Sequence, residues 1–434
     1  MPRRWLAGVF AVSALWAVLV AVFSTDSVHR LWGVIAACGY VLAVVAVLAW
    51  KSRGADTALG LSFCGALLVP LAWMAAKALE QPEVAVVARS AETLIHQGTP
   101  YADPTTLAAT QDPNAYNPYL PVMSLFGLPR VIFGAGLLTD PRVWFGLVFV
   151  VVFWYALRQG GARDPWRWTV LVAASPIIAF ELAVGGTDVP MVAFLCLGFA
   201  FLWSRGSRGD LGRDESLQAG GSPGGPPPRG QAAKAVLAGL ALGVGAAIKA
   251  TAWPAVLVAI ALLAVRDGKR QAGVFTLTAL AVVAVCVGPF LVVDPRALVE
   301  NTIKFPLGLA HVTSQASSPL PGHDLAQTGA VGHMIVVVLL AAAGLAVAAS
   351  LILRPPRTVP RAVLLLAGAM TLMFVLAPST RFGYFIYPAT LVIWLLAAAA
   401  GRTEPDKPVT QDPGAPPART RTRCRTSPVT RPAA

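Results

Sequence analysis

Few side chains in this sequence can do chemistry, and their positions are informative. Glu83 follows Pro82 directly after a long apolar run. A carboxylate there is either a capping charge, which the helix dipole favours at a first turn, or a group placed to take a proton. Glu181 and Asp188 flank Gly185-Gly186. Acids within or beside apolar runs are expensive in lipid and mark functional sites by default. For Asp188 the plainer alternative is a first-turn residue ahead of Pro190. Lys249 closes one apolar run and Arg381 follows Ser379-Thr380 just before another. Each cation either reaches towards lipid headgroups or holds an anion. Lys304 and His311 stand in a polar stretch between apolar runs. The five histidines, His29, His96, His311, His323 and His333, match no metal-ligand spacing, so no metal is expected. A phosphate-cradling Gly loop is also missing, which argues against ATP-driven transport.

The elements that carry these residues follow from composition. The chain has 434 residues, 56% hydrophobic and 13% charged, with mean hydropathy +0.66. Average soluble domains carry about 25% charged residues. A soluble globular enzyme, a disordered scaffold and a disulfide-rich secreted module are excluded; most of this chain must lie in lipid. Cys38, Cys64, Cys196 and Cys286 sit inside apolar runs and Cys424 in a polar tail, with no disulfide framework. A spanning helix needs roughly 20 apolar residues. On that scale the sequence predicts an all-α polytopic membrane protein with about twelve spans, at 5–23, 31–49, 58–79, 142–158, 168–184, 188–204, 234–249, 252–266, 271–293, 331–353, 362–378 and 384–400. The two around Lys249 are short and read as a helical hairpin. The first span follows Arg3-Arg4 and reads as an anchor, not a removed signal peptide.

Charge sets the orientation. The formal net charge is +13. Such an excess attracts nucleic acid in a soluble protein, but in this apolar chain it marks cytoplasmic loops, and no nucleic-acid partner is expected. Placing both termini and alternate loops inside puts 25 of the 34 Lys and Arg residues there. The apolar segment 118–138 contains Pro121, Pro129 and Arg130, and counting it as a span would put Arg158, Arg163 and Arg167 outside. It therefore reads as a helix in the outer interface. The apolar spacing of Val84, Val87, Ala91, Leu94 and Ile95 predicts a second interfacial helix over 83–97, stopped at Gly98. The resulting organisation is a three-helix segment at 1–79, an extracytoplasmic loop at 80–141, and a membrane core at 142–401. The core contains a cytoplasmic linker at 205–232 and a second extracytoplasmic loop at 294–330. A Pro-, Thr- and Arg-rich tail at 402–434 is expected to be disordered. No internal repeat is present, which disfavours many transporter architectures.

Several short motifs stand in a fixed order: Glu83-Val84-Ala85-Val86, Gly98-Thr99-Pro100-Tyr101, and Tyr116 through Pro121. Gly185-Gly186-Thr187-Asp188 follows, then Ala247-Ile248-Lys249 with Pro254, Phe305 through Gly308, Ser318 through Gly322, and Pro378 through Tyr384. Together they resemble the C-type superfamily of membrane glycosyltransferases, and within it family 87, the polyprenyl-phosphate-mannose-dependent mannosyltransferases. The family usually has Asp where this chain has Glu83. Many relatives place the acidic loop after the first span, whereas three spans precede it here.

The resemblance implies transfer of a sugar, mannose by family, from a polyprenyl phosphate to an outward-facing glycolipid or cell-envelope glycan, at the membrane of a bacterial cell. Membrane lipid, the lipid-linked sugar and the glycan acceptor would be its partners, with no cofactor beyond the donor itself. It implies that Glu83 is the general base for the acceptor hydroxyl. Lys249, Arg381 and His311 would meet the donor phosphate, and Asp188 would shape the sugar site. A pairing of Glu181 with Lys249 or Arg381 is also expected. The alternative class is a non-enzymatic transporter or lipid-carrier flippase, which would need ionisable groups along a path at the bilayer midplane. Apart from Glu181 the spans hold almost none.

Overall fold

A computed structural model describes residues 1–203, 229–312 and 316–403. The expected linker falls outside the described residues as far as 228, as does the tail from 404. Among the described residues the fold is helical, and nine helices are long and apolar enough to cross a membrane. They are Arg3–Phe23, Ser27–Ala49, Gly54–Ala76, Pro141–Gly160, Gly230–Ile248, Lys269–Val293, Ala330–Leu353, Val359–Leu376 and Phe382–Arg402.

The other three expected spans depart from the ideal for local reasons. Span 168–184 is a bent pair, Pro165–Ala173 and Pro176–Val184, at 58° to each other. Pro176 has no N–H to continue the ladder, and the buried Tyr40 hydroxyl donates to the Ala174 carbonyl at the break, at 2.5 Å. Ala250–Arg266 is a shorter apolar helix, separated from Gly230–Ile248 by Lys249. That is the hairpin read from the sequence. Val189–Leu202 has 14 residues, twelve of them buried. A helix apolar all round belongs in the middle of a bundle, and this one is wrapped by its neighbours. Ala330–Leu353 is the opposite case, with 6% of its apolar stretch buried inside the protein. Its apolar surface suits direct contact with lipid.

One apolar core runs through the bundle from Leu6 to Ala398, so the three N-terminal spans pack on the rest. Gly39 and Gly65 let the second and third spans touch backbone to backbone: a Cβ on Gly39 would lie 2.7 Å from Gly65 Cα. The Trp32 indole donates to the Ala66 carbonyl at 2.9 Å, inside a π turn at Cys64–Leu68.

The bundle has two chemically different ends. At one, Arg3 bonds the Val47 carbonyl, Arg167 pairs with Asp56 at 2.9 Å, Arg266 donates to Leu202 at 2.9 Å and Arg402 to Gly160 at 2.9 Å. These are the loops that the charge pattern assigns to the cytoplasm. At the other end lies the amphipathic helix Pro82–Gln97, ended by Gly98 in the left-handed region at φ +73°. The apolar segment beyond it does not cross as one long helix. It forms a 3-10 stretch, Pro121–Gly127, and a short helix, Leu128–Phe133.

Three loops are tied together at this end. The fully buried Asn301 accepts from Asn117 N at 2.8 Å and donates to the Ala102 carbonyl at 3.1 Å. The Tyr116 ring stacks on Phe305, with centroids 4.5 Å apart. Ser318 N donates to the Thr380 carbonyl at 2.9 Å, and Thr380 N to that of Ala316 at 3.0 Å.

Candidate functional site

Glu83 sits in the first turn of Pro82–Gln97, where Pro82 fits because its missing N–H would be unpaired anyway. The chain just before it is pinned, since Gln81 N donates to the Val184 carbonyl at 2.8 Å. The Gln81 side chain is 2.7 Å from His29 of the second span. From the far end of the sequence the turn Pro378–Tyr384 folds over, and the Arg381 guanidinium forms an ion pair with Glu83 Oε1. The other carboxylate oxygen, Oε2, is buried and has no hydrogen-bond partner among the described residues. Unpaired buried acceptors are rare because they forfeit their hydration. A hydroxyl donating to this oxygen would satisfy it.

The second half of the site is built on the turn Gly185-Gly186. Gly186 takes φ +71°, which glycine adopts freely, and the turn delivers Asp188 to the interior, 8% exposed. Asp188 forms an ion pair with Lys249 and accepts from the Tyr387 hydroxyl. Tyr387 in turn contacts Thr251 Oγ1 at 2.9 Å. Lys249 occupies the extended link between the two hairpin helices, φ −153° and ψ 139°. It lies 5.4 Å from the ring centres of both Tyr119 and Tyr384, a geometry in which aromatic faces attract a cation. Tyr119 is held there because Leu120 N bonds the Ile248 carbonyl at 3.0 Å. Burial pushes the Tyr119 phenol well above its ordinary range, so it remains a neutral hydroxyl.

Glu181 connects the two halves. A Cβ built on Gly383 would lie 2.3 Å from Glu181 Oε1, so the glycine two residues after Arg381 makes room for that carboxylate. Glu181 is also within electrostatic reach of Asp188 and Lys249. The result is a compact polar cluster of three acids and two bases at the loop end of the bundle. Among the described residues, no group of three His, Cys, Asp or Glu side chains converges as a metal site needs.

Four of the five residues singled out in the sequence, Glu83, Asp188, Lys249 and Arg381, thus fall into two adjacent ion pairs. Lys249, expected at the donor phosphate, forms its ion pair with Asp188. Glu181 was expected to pair with a base; it lies beside Lys249 and Gly383. His311 is not brought in: it is exposed, and its neighbours Ala310 and Val312 pack on Leu107 and Tyr116. His323 is closer to the cluster along the chain fold, with Nδ1 at 2.9 Å from the Pro378 carbonyl, in the turn that carries Arg381.

Sequence reasoning names Tyr384 and His29 without a role in the site and misses Tyr387 and Arg142. The latter two carry a legible signal. Tyr387 is one of two phenols, with Tyr384, at the start of an apolar span, and Arg142 is a cation in the first turn of a helix, where the dipole opposes it.

With this geometry in hand, three comparisons can be set beside it. A sequence model of glycosyltransferase family 87 matches residues 117–378. That stretch includes Asp188, Lys249 and His311, while Glu83 and Arg381 lie outside it. Among solved structures, the crystal structure of ArnT from Cupriavidus metallidurans in the apo state superposes with TM-score 0.44 and 20% identity. The match covers 80% of this chain and 60% of the length of that one. No curated protein matches the sequence.

Proposed function

The chain belongs to glycosyltransferase family 87, and from that premise we propose that it transfers a sugar, mannose by family resemblance, from a polyprenyl phosphate to a hydroxyl of a glycolipid or cell-envelope glycan. The site would face outward from a bacterial cell membrane, with both termini in the cytoplasm, as the distribution of Lys and Arg favours.

One observation carries the assignment of the base: Glu83 has one oxygen held by Arg381 and the other buried without a partner. An acceptor hydroxyl that donates to Oε2 completes the set. In the transfer the acceptor oxygen bonds to the anomeric carbon and its proton passes to Glu83 Oε2. The bond from the anomeric carbon to the phosphate oxygen breaks, and the polyprenyl phosphate leaves with the electron pair. Single displacement of this kind inverts the anomeric centre and needs no carboxylate nucleophile. Arg381, held at Glu83 Oε1 and 34% exposed at its side chain, is the cation presented to the leaving phosphate, where fixed positive charge is worth most. Asp188, oriented by Lys249 and Tyr387, offers acceptor oxygens to sugar hydroxyls.

The test is transfer from labelled polyprenyl-phosphate mannose in membranes containing the wild type or Glu83→Gln. The amide keeps the shape of the side chain and cannot take the proton. Transfer should be abolished while abundance and monodispersity persist. Full activity in Glu83→Gln would overturn the choice of base. Movement of the carrier with no new glycosidic bond would overturn the enzyme reading.

A further inference from the structure

Arg142 is a fully buried cation outside the cluster just described, in the second position of the helix Pro141–Gly160. A lone buried charge at the positive end of a helix is doubly unfavourable, so its contacts must justify it. Nε donates to Asp140 Oδ1 at 2.9 Å and Nη2 to Asp140 Oδ2 at 2.8 Å, a two-point grip. Nη2 is also 3.9 Å from Glu80 Oε2. The remaining nitrogen, Nη1, bonds two backbone carbonyls from different parts of the chain: Leu79 at 2.9 Å and Ala183 at 2.7 Å. Leu79 lies four residues before Glu83 and Ala183 five before Asp188. Beside this link, Gln81 N bonds the Val184 carbonyl at 2.8 Å. The strand of chain leading into the base and the turn delivering the sugar-site acid are therefore held to one planar group, whose own orientation is locked by Asp140.

We propose that Arg142 is a positioning residue that sets the distance between Glu83 and Asp188, and hence between the acceptor's proton and the bound sugar. The proposal rests on the assignment of those two carboxylates to the reacting centre. Arginine is suited to the task because its planar fork fixes several directions at once, which a lysine ammonium cannot. A rigid link matters because misplacing reacting groups by about 1 Å costs on the order of a hundredfold in rate.

The test uses the full-length protein, purified and normalised to the monodisperse fraction. Arg142→Lys keeps the charge and loses the two-point grip. Its kcat should fall at least tenfold while KM for polyprenyl-phosphate mannose stays within threefold, because Asp188 keeps its own partners Lys249 and Tyr387 and the displacement falls on the link to Glu83. Asp140→Asn provides the second variant: Asn caps a helix as well as Asp does, so the fold is retained while the lock on the guanidinium is loosened. It should show a smaller fall in kcat with the same unchanged KM, and it decides the matter if Arg142→Lys does not fold. Wild-type kcat per folded molecule, or a loss confined to KM, would leave Arg142 as a structural tie only and overturn the proposal. Glu83→Gln run in parallel separates the two layers. If it is inactive while both other variants keep full kcat, only the positioning role fails; if it is active, the assignment beneath fails.

Discussion

The contact between Asp188 and Lys249 allows a quantitative test of how the polar cluster is held in an apolar surround. The two side chains are 11% and 13% exposed. Removing one partner of such a pair strands a charge and costs about 3–5 kcal/mol, whereas replacing both by neutral groups is close to neutral. The neighbours say which single change is worse. After Asp188→Asn, the ammonium still has the faces of Tyr119 and Tyr384, worth about 0.5–2 kcal/mol. That places the loss near the lower figure, about 3 kcal/mol. After Lys249→Met, Asp188 keeps the Tyr387 hydroxyl as its side-chain donor among the described residues and remains within electrostatic reach of the Glu181 carboxyl, so the loss is near the upper figure, about 5 kcal/mol. At about 1 °C per kcal/mol for a chain of this size, the single variants should melt about 3 and 5 °C lower. The double variant should melt within about 2 °C of the wild type. Thermal unfolding in detergent, followed by the fluorescence of the twelve tryptophans, measures all four proteins. A double variant that loses the sum of the two single losses would refute the argument, because additivity means that the charges do not depend on each other.

Two further outcomes follow from the same geometry. Gly383→Ala places a Cβ where the Glu181 carboxylate now sits, at 2.3 Å. Sugar transfer should fall at least tenfold with abundance preserved, and an unchanged rate would show that Glu181 can move without consequence. Asn301→Ala deprives the buried Asn117 N–H of its acceptor, an unpaired group that costs about 1–3 kcal/mol. Limited proteolysis should then cut the 98–120 loop faster than in the wild type, and equal cutting rates would mean that the two loops hold together without it.

The family and the general course of the chain were legible early because hydropathy and charge are local properties. The sequence predicts twelve apolar runs, and at those places the described residues form nine long spans, one bent pair and two short apolar helices. Length was the misleading cue at Val189–Leu202. A helix wrapped by other helices does not meet lipid along its whole length, and its 14 residues suffice. The amphipathic helix after Pro82 and the break at Lys249 were visible for similar reasons, in periodicity and in a lone charge. The motifs that resemble family 87 also lie along the sequence, and the matched stretch 117–378 contains several of them.

The amino-acid sequence by itself determined which residues are costly enough in lipid to require a purpose: Glu83, Glu181, Asp188, Lys249 and Arg381. Tertiary structure alone decided who partners whom. Glu83 and Arg381 are 298 positions apart, and Asp188 and Lys249 are 61 apart. Residue type says that a buried charge needs a counter-charge, but only the packing of distant helices selects which one. Arg142 makes the same point from the other side. From the sequence it is a basic residue at the mouth of a span. In the fold it is buried, because two carbonyls separated by about a hundred residues meet around it.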